Sequence, residues 1–482
     1  MRVRRPEFRS GLGMIVILGL VAWLAGWVIT GSQTTASQLV RASENSLRQP
    51  TGAPQLVQYE SLPAMEGMAG MAGMNGEMCE WMPASASSTL LASLQQAGAA
   101  PSAQALREEI RQRKPVRMVR DSYAAYSSVA VDVANNEVIL TDENLFQVLV
   151  YDRTANTPPT ARMTEPKRML GGEHTKIEFQ CGLYIDPRTG DIYAVNNDTI
   201  DTLTIFNRQA RGDVPPTREL YTPHGTFGIA VDEAAQEMYL TIQHDSAVVV
   251  YKKYADKEEP PIRLLQGDRT KLADPHGVAV DPKNGFLYVT NHGSVSSRDT
   301  SAKSEGSLGR GVGKANWPLG QDVAIPGSGR HDPPSITVYR KDAQGDVAPV
   351  RIISGPKTLF NWPTGIAVDP DRDELFISND NGDEILVFRA SASGDVAPIR
   401  VLKGPKTQIK NPTGLFVDFQ NNELWVANFG NHAATVYRRD ASGDTPPLRV
   451  IRSGPVDAPT PMIGNPHPVA YDTKRDEILV PN

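Results

Sequence analysis

Residues 411–451 read NPTGLFVDFQNNELWVANFGNHAATVYRRDASGDTPPLRVI, and residues 362–402 read WPTGIAVDPDRDELFISNDNGDEILVFRASASGDVAPIRVL. The chain says nearly the same thing twice. A unit that cannot bury its own faces must pack on copies of itself, so this period constrains the fold before any single residue does. From about residue 115 the unit opens on Gly, three apolar residues and Asp. Those aspartates are Asp132, Asp186, Asp232, Asp281, Asp369, Asp418 and Asp472, with spacings of 54, 46, 49, 88, 49 and 54 residues. The longest spacing is one unit plus an insertion.

Each unit goes on to a second apolar run (EVIL, DIYAV, EMYL, FLYVT, ELFIS, ELWVA, EILV) and a third (QVLVY, TLTIF, AVVVY, SITVY, EILVF, ATVYR). A Gly-Asp-Pro stretch then leads to a fourth: TARM, TREL, PIRLL, PVRII, PIRVL, PLRVI. The runs are short, rich in Val, Ile, Tyr and Phe, and bounded by turn residues, which marks strands. Helical spacing is absent. Four antiparallel strands in a unit of about 45–50 residues form a β-propeller blade, so the fold class is all-β, with a propeller over 114–482.

The blade count follows from the ends. KPVRMVR (114–120) reads as a fourth strand alone, and HPVAYDTKRDEILVPN (467–482) as a first and second. With six complete units between them, seven blades closed by both chain ends is the favoured expectation. Six blades with an overhang is the alternative, and a chain shortened by a recoded or premature stop is a third reading. Arg117, Arg162, Arg218, Arg263, Arg351, Arg400 and Arg449 fall at one place in seven fourth strands. There an outward charge protects a sheet edge, and Asp346 and Asp395 are the expected kind of partner. The aspartate after each first strand suits an Asx turn.

The G-I-A-V-D start and the blade length resemble NHL-repeat propellers. LYVTN (287–291) resembles the YVTN class of surface-associated propellers. The resemblance covers roughly 115–482 and implies fold more than function, because such propellers include enzymes, ligand-binding domains and scaffolds. Propeller lactonases, hydrolases and lyases hold a divalent metal in the channel with Glu, Asn and Asp. Here the entries to the first strands carry His, Thr, Gly and Pro, so a ligand- or protein-binding module is expected ahead of an enzyme. No C-x-x-C-H haem motif is present.

The start of the chain differs. MRVRRPEFR is basic, and the next 21 residues, 11–31, carry no charge. At about 1.5 Å per residue they span a bilayer core. The expectation is an uncleaved anchor, with 1–10 cytoplasmic and the bulk periplasmic or extracytoplasmic; a cleaved signal peptide is the alternative. A net charge of −6 supplies no basic footprint for nucleic acid. Residues 32–113 read as a low-complexity stalk, with short helices near 88–97 and 102–113. Within it Met65, Met68, Met71, Met74, Met78, Cys79 and Met82 form a soft-ligand array suited to copper(I). The array resembles the Met-rich segments of periplasmic copper-handling proteins, although it lacks their histidines. A flexible linker or an oxidisable contact surface is the alternative. Cys79 and Cys181 leave one disulfide open in an oxidising compartment.

In an antiparallel blade the connections from fourth to first strand and from second to third share one face of the ring. His224, His276 and His467 enter first strands there, and His244, His292 and His432 lie in the second-to-third turns. Asn196, Asn291, Asn379, Asn428 and Asp142 end second strands on the same face. These residues form the candidate ligand face, with His as a common metal ligand. Their blades are not all adjacent, so one ion cannot gather all six histidines. The competing reading is that they satisfy turn backbone. The Gly- and Ser-rich insertion 292–335, with Trp317, sits over this face and suits a lid or a docking loop for a protein partner, with simple disorder as the alternative.

Overall fold

The computed structural model describes residues 121–197, 200–299 and 323–456, with isolated positions at 104, 108, 112, 458, 460, 470–472, 474 and 477–479. The expected anchor, the Met-rich stretch, Cys79, the 114–120 strand, Arg117, Trp317 and His467 lie outside these residues. Among the described residues no helix is long and apolar enough to cross a membrane.

Six four-stranded antiparallel sheets follow one another, at 126–170, 180–221, 226–266, 275–354, 363–403 and 412–452. Each is ordered a-b-c-d, from an inner strand a to an outer strand d. Nearly every residue of strands b and c is buried, because both faces of a blade are covered by its neighbours. Alternate residues serve opposite neighbours. In blade 1, Val138 and Leu140 pack toward blade 6 and Ile139 toward blade 2. Six apolar clusters result, one at each blade interface.

The ring therefore closes with six blades, not the seven favoured from sequence. The closing seam joins blade 6 to blade 1. Trp425, Ala427 and Val436 pack there against Tyr126, Val129 and Tyr151, Thr413 Oγ1 donates to Ser127 O at 2.8 Å, and Arg153 bridges to Glu423 at 2.9 Å. The end segment forms only a two-stranded sheet, Ala470–Asp472 with Glu477–Leu479. Strand patterning was read correctly in that segment, but a strand's pattern does not say which sheet it joins.

A line of glycines explains the repeat's first letter. Gly182, Gly228, Gly277, Gly365 and Gly414 each face backbone at the start of the next blade's inner strand. A Cβ on Gly365 would lie 2.8 Å from Thr413 O, and one on Gly414 2.6 Å from Ser128 Cα. A side chain here would prise adjacent blades apart. Hydroxyls reinforce the contact, with Thr290 Oγ1 donating to Thr364 O at 2.8 Å and Ser378 Oγ to Thr413 O at 3.0 Å.

At the other end of each strand a, the expected Asx turns are present. Asp132 accepts from Asn135 N at 3.0 Å, Asp281 from Asn284 N at 3.0 Å and Asp418 from Asn421 N at 2.9 Å. The same aspartates also pair across blades: Lys253 reaches Asp186 at 2.8 Å, Lys341 reaches Asp232 at 2.5 Å, and Arg439 reaches Asp369.

The arginine column is real, with two corrections. Blade 1 contributes Arg168, since its strand d is Arg168–Leu170. Arg162 belongs to a Pro-rich connection that runs beside strand d of blade 6, where Thr157 N and Thr164 N donate to Val450 O and Arg452 O at 2.7 and 2.9 Å. The arginines' acidic partners are the glutamates that begin strands b: Arg168–Glu137 at 2.7 Å, Arg263–Glu237 at 2.6 Å and Arg449–Glu423 at 2.8 Å. Asp346 and Asp395 instead accept Arg269 N and Lys357 N of the preceding blade, at 2.7 Å each.

Candidate functional site

Strand a pairs on one side only, so its other edge borders the ring axis. The six inner strands enclose a channel of about 660 Å³, whose lining includes Val131, Ile185, Val231, Val280, Val368 and Val417. These are the apolar letters of the repeat, three residues after the glycine position. The middle of the channel is accordingly apolar, with Asp132, Glu233 and Gln420 lining it toward the a–b turns; a separate polar group lies at the other end, the mouth on the face carrying the b–c turns.

Strand b ends in Asn or Asp in five of the six blades, and the structure assigns these residues a structural task. Asn291 Oδ1 accepts Ala273 N at 3.0 Å and its Nδ2 donates to Thr337 Oγ1 at 3.0 Å. Asn379 and Asn428 accept Asn361 N and Lys410 N at 2.7 and 3.1 Å, and both are fully buried. Asn196 accepts Glu178 N at 3.0 Å. Each stitches the end of strand b to the loop that enters strand a. Asn291, Asn379 and Asn428 are therefore engaged in bonds within the fold.

One residue follows each strand-b end, directly after a stitch in five blades and after Ile242 in blade 3. These residues are Glu143, Asn197, Gln243, His292, Asp380 and Phe429. The strand-a residues before the glycines add Cys181, Phe227, His276 and Thr364. A hydrogen-bonded chain runs round part of the mouth: Asn197 Nδ2 donates to Gln243 Oε1 at 2.8 Å, and Gln243 Nε2 meets His276 Nε2 at 2.6 Å. His276 and His292 stack with ring centroids 3.3 Å apart, and Phe227 and Trp362 flank them at 4.4 Å each.

Asp274 completes this group. Its carboxylate oxygens lie 3.7 Å from His276 Nδ1 and 3.9 Å from His292 Nδ1. The three residues are the one cluster among those described whose ligand atoms could share an ion. Local chain chemistry builds it. The Asn291 stitch draws the end of strand b onto the entering loop, where His292 N donates to Asp274 O at 3.1 Å and Gly293 N to Ala273 O at 2.9 Å. Asp274 holds φ 53°, a left-handed value that Asp accepts more readily than most residues. His276 uses both nitrogens, Nε2 on Gln243 and Nδ1 on Asp274 O at 3.0 Å. His292 uses Nε2 on Thr364 Oγ1 at 3.3 Å, and its buried Nδ1 has no hydrogen-bond partner.

The electrostatics of the mouth lean one way. Burial raises Glu143 to about 8; the charge of Asp142 and, from across the ring, that of Asp380 add to this, while the Cys181 thiol opposes it. Burial raises Asp142 to about 7 against three backbone N–H bonds, and Asp274 to about 6 against the charge of His331. Asp380 is raised to about 6, again by burial. Burial lowers His276 to about 3 and holds His292 well below the usual imidazole range, with His276 adding to the effect. Among the described residues no Lys or Arg bridges to Asp142, Glu143 or Asp274. Perturbed groups gathered in one opening make it the candidate functional site.

The other expected site residues separate. His224 and His244 stack at 5.5 Å on blade 3, with His224 Nδ1 on Asp201 at 3.0 Å. His224 belongs to P-H-G like His276, but its glycine is Gly225, three residues before the ring glycine Gly228. The shared tripeptide therefore sits in a different register. His432 is fully buried at the seam, with Nδ1 on Ala124 O and Nε2 on Thr460 Oγ1, both at 3.0 Å. Cys181 is a buried thiol at the mouth and donates to Glu143 Oε1 at 3.4 Å. The insertion is not structureless at its base, because Ser294–Asp299 pairs with Val323–His331 beside the histidine pair.

Fold and mouth together place the chain among six-bladed β-propellers. No family model matches the chain, and no curated protein matches it. Among solved structures it is similar to hydrazine synthase of Kuenenia stuttgartiensis, at 12% identity and a TM-score of 0.40, over 76% of this chain and 98% of that one.

Proposed function

We propose that this protein is a membrane-tethered, extracytoplasmic propeller of NHL/YVTN type. On this reading it is a binding module that takes a small cationic or hydrogen-bond-donating ligand at the axial mouth. The tether rests on the uncharged run 11–31 behind four arginines, and the repeat type on the G-I-A-V-D and LYVTN segments. The observation that carries the ligand site is the convergence of Glu143, Asn197, Gln243, His292 and Asp380 on one opening. Its carboxyls are desolvated and short of cations, so each is stabilised by positive charge or donors arriving from outside.

Thermal unfolding of the purified full chain with putrescine, choline or glucose tests this. At least one compound raises the Tm of the wild type by several degrees, and raises that of Glu143→Gln and Asp380→Asn clearly less. Equal shifts in all three proteins, or no shift in any, refute the reading.

A further inference from the structure

We infer that Asp274, His276 and His292 form a binding site for one divalent transition-metal ion, held by a carboxylate and two imidazoles at the axial mouth. The inference rests on the ligand-site reading above and makes its ligand specific.

The donor set comes first. Two nitrogens and one carboxylate oxygen suit ions of intermediate softness, such as Zn²⁺, Fe²⁺ or Co²⁺, and leave coordination positions for water or a ligand. They do not suit copper(I), which prefers sulfur. The geometry comes next. With metal bonds of about 2.1 Å, two ligands at a tetrahedral angle stand about 3.4 Å apart. The Asp274 oxygens lie 3.7 and 3.9 Å from the two Nδ1 atoms, and one ligand atom of each residue lies within 4.8 Å of the others, so side-chain rotation that tilts the stacked rings apart would bring all three onto one ion. The stacked imidazoles present their Nδ1 edges to the same carboxylate.

An independent observation points the same way. His292 is 1% exposed, and its Nδ1 is a buried nitrogen without a partner. A buried polar atom left without a hydrogen bond is destabilising. Its Nε2 is directed at Thr364 Oγ1, which leaves the Nδ1 lone pair aimed toward Asp274. A metal would satisfy that lone pair, and Thr364 would then be the outer partner that orients a ligating imidazole. His276 needs one proton move. Its Nδ1 proton, now on Asp274 O, shifts to Nε2, and the Gln243 amide turns to present its oxygen, giving up the bond from Asn197 Nδ2, which keeps its bond to Thr226 O. Gln243 becomes the second outer partner. Phe227 and Trp362 flank the pair and screen it from solvent, and a metal would take both imidazoles in their neutral form.

The nearest competing histidine pair is less suited. His224 and His244 lie 5.5 Å apart ring to ring, and His244 is exposed.

The test is a Co²⁺ titration of the purified, chelator-stripped full chain, followed by visible ligand-field absorption and by metal analysis after dialysis. The expected result is one Co²⁺ per chain, displaced by Zn²⁺, with affinity reduced at least tenfold in His292→Ala and Asp274→Asn and unchanged in His244→Ala. Thr364→Val, which leaves every ligand and the core in place, lowers affinity several-fold and guards against a folding artefact in the other two. Unchanged affinity in both His292→Ala and Asp274→Asn overturns the inference, as does less than about a third of an equivalent bound to wild type. If Co²⁺ fails while an organic cation still shifts Tm in a Glu143-dependent way, the metal site falls and the ligand-binding reading stands. If both fail, both fall.

Discussion

Lys253 offers the sharpest test of how the blades are held together. Its side chain is fully buried, with Nζ 2.8 Å from Asp186 of blade 2 and 2.5 Å from Glu233; Asp186 itself is 1% exposed. Burial pushes Asp186 upward, but the Lys253 ammonium and two backbone N–H groups outweigh it and hold the carboxyl below its ordinary range. Lys253→Met keeps the aliphatic stem and removes the charge, stranding Asp186. Removing one partner of a buried pair costs about 3–5 kcal/mol, because the other charge stays buried. Unfolding entropy is about 2.1 cal/mol/K per residue, so over the roughly 330 residues of the ring it reaches about 0.7 kcal/mol/K. The expected loss in Tm is therefore about 4–7 °C at pH 7, read by calorimetry. Asp186→Asn in the Lys253→Met background recovers at least half of it. The pH dependence has a definite sign. In wild type the depressed Asp186 adds stability that is present above its unfolded pKa and lost as pH falls through the folded one. In Lys253→Met the unpaired, desolvated Asp186 lies above its unfolded value, so Tm rises as pH is lowered from 7 toward 5. A Tm change below about 1 °C, or a double variant as unstable as the single, would falsify the assignment of this pair as an inter-blade tie.

Three further outcomes follow from the same geometry. Gly414→Ala puts a Cβ 2.6 Å from Ser128 Cα and 2.8 Å from Ser127 O; it is expected to cost about 1–3 kcal/mol as overpacking, seen as a lowered urea midpoint. Asn428→Ala leaves Lys410 N without its acceptor and is expected to cost about 1–3 kcal/mol, with Co²⁺ affinity unchanged in the dialysis assay. Glu143, raised to about 8, is favourable while protonated, and its contribution is lost as pH climbs from its unfolded value through the folded one. Metal-free wild type should therefore lose Tm between pH 5 and pH 9 more steeply than Glu143→Gln, and parallel pH profiles of the two proteins would contradict the burial of that carboxyl.

The repeat carried most of the architecture. Strand identity, the Asx turns and the arginine column were legible because each is a local consequence of alternation and turn chemistry. The blade count was not. KPVRMVR and the 467–482 segment have strand patterning, but the apolar seam between blade 6 and blade 1 joins Tyr126 to Trp425, a contact no local pattern reveals. The stitching role of the asparagines was hidden for a related reason. A polar residue at a strand end reads the same whether its amide meets a ligand or a loop N–H eighteen residues earlier, as Asn291 does with Ala273. Of the six histidines, two meet at one carboxylate. The missed member, Asp274, stands two residues before His276 in A-D-P-H-G, a carboxylate-x-imidazole spacing that was available to be noticed. Glu143, Gln243 and Asp380 were missed because they follow the strand-b ends by one residue, and only the ring geometry turns that position toward the axis.

The seam has a consequence for how the protein is made. Thr413 and Ser127, which meet across it, are 286 residues apart, and Ser453 reaches Ala124 across 329. At a synthesis rate of about 5–20 residues per second, blade 1 leaves the ribosome roughly 15–60 s before Trp425 exists to cover it. For that interval its Val138–Leu140–Tyr151 face has no native partner, while blades 2 to 5 each find a neighbour as they emerge. The nascent chain thus travels as an open crescent with one sticky end, and the last blade both completes the ring and retires its principal aggregation hazard.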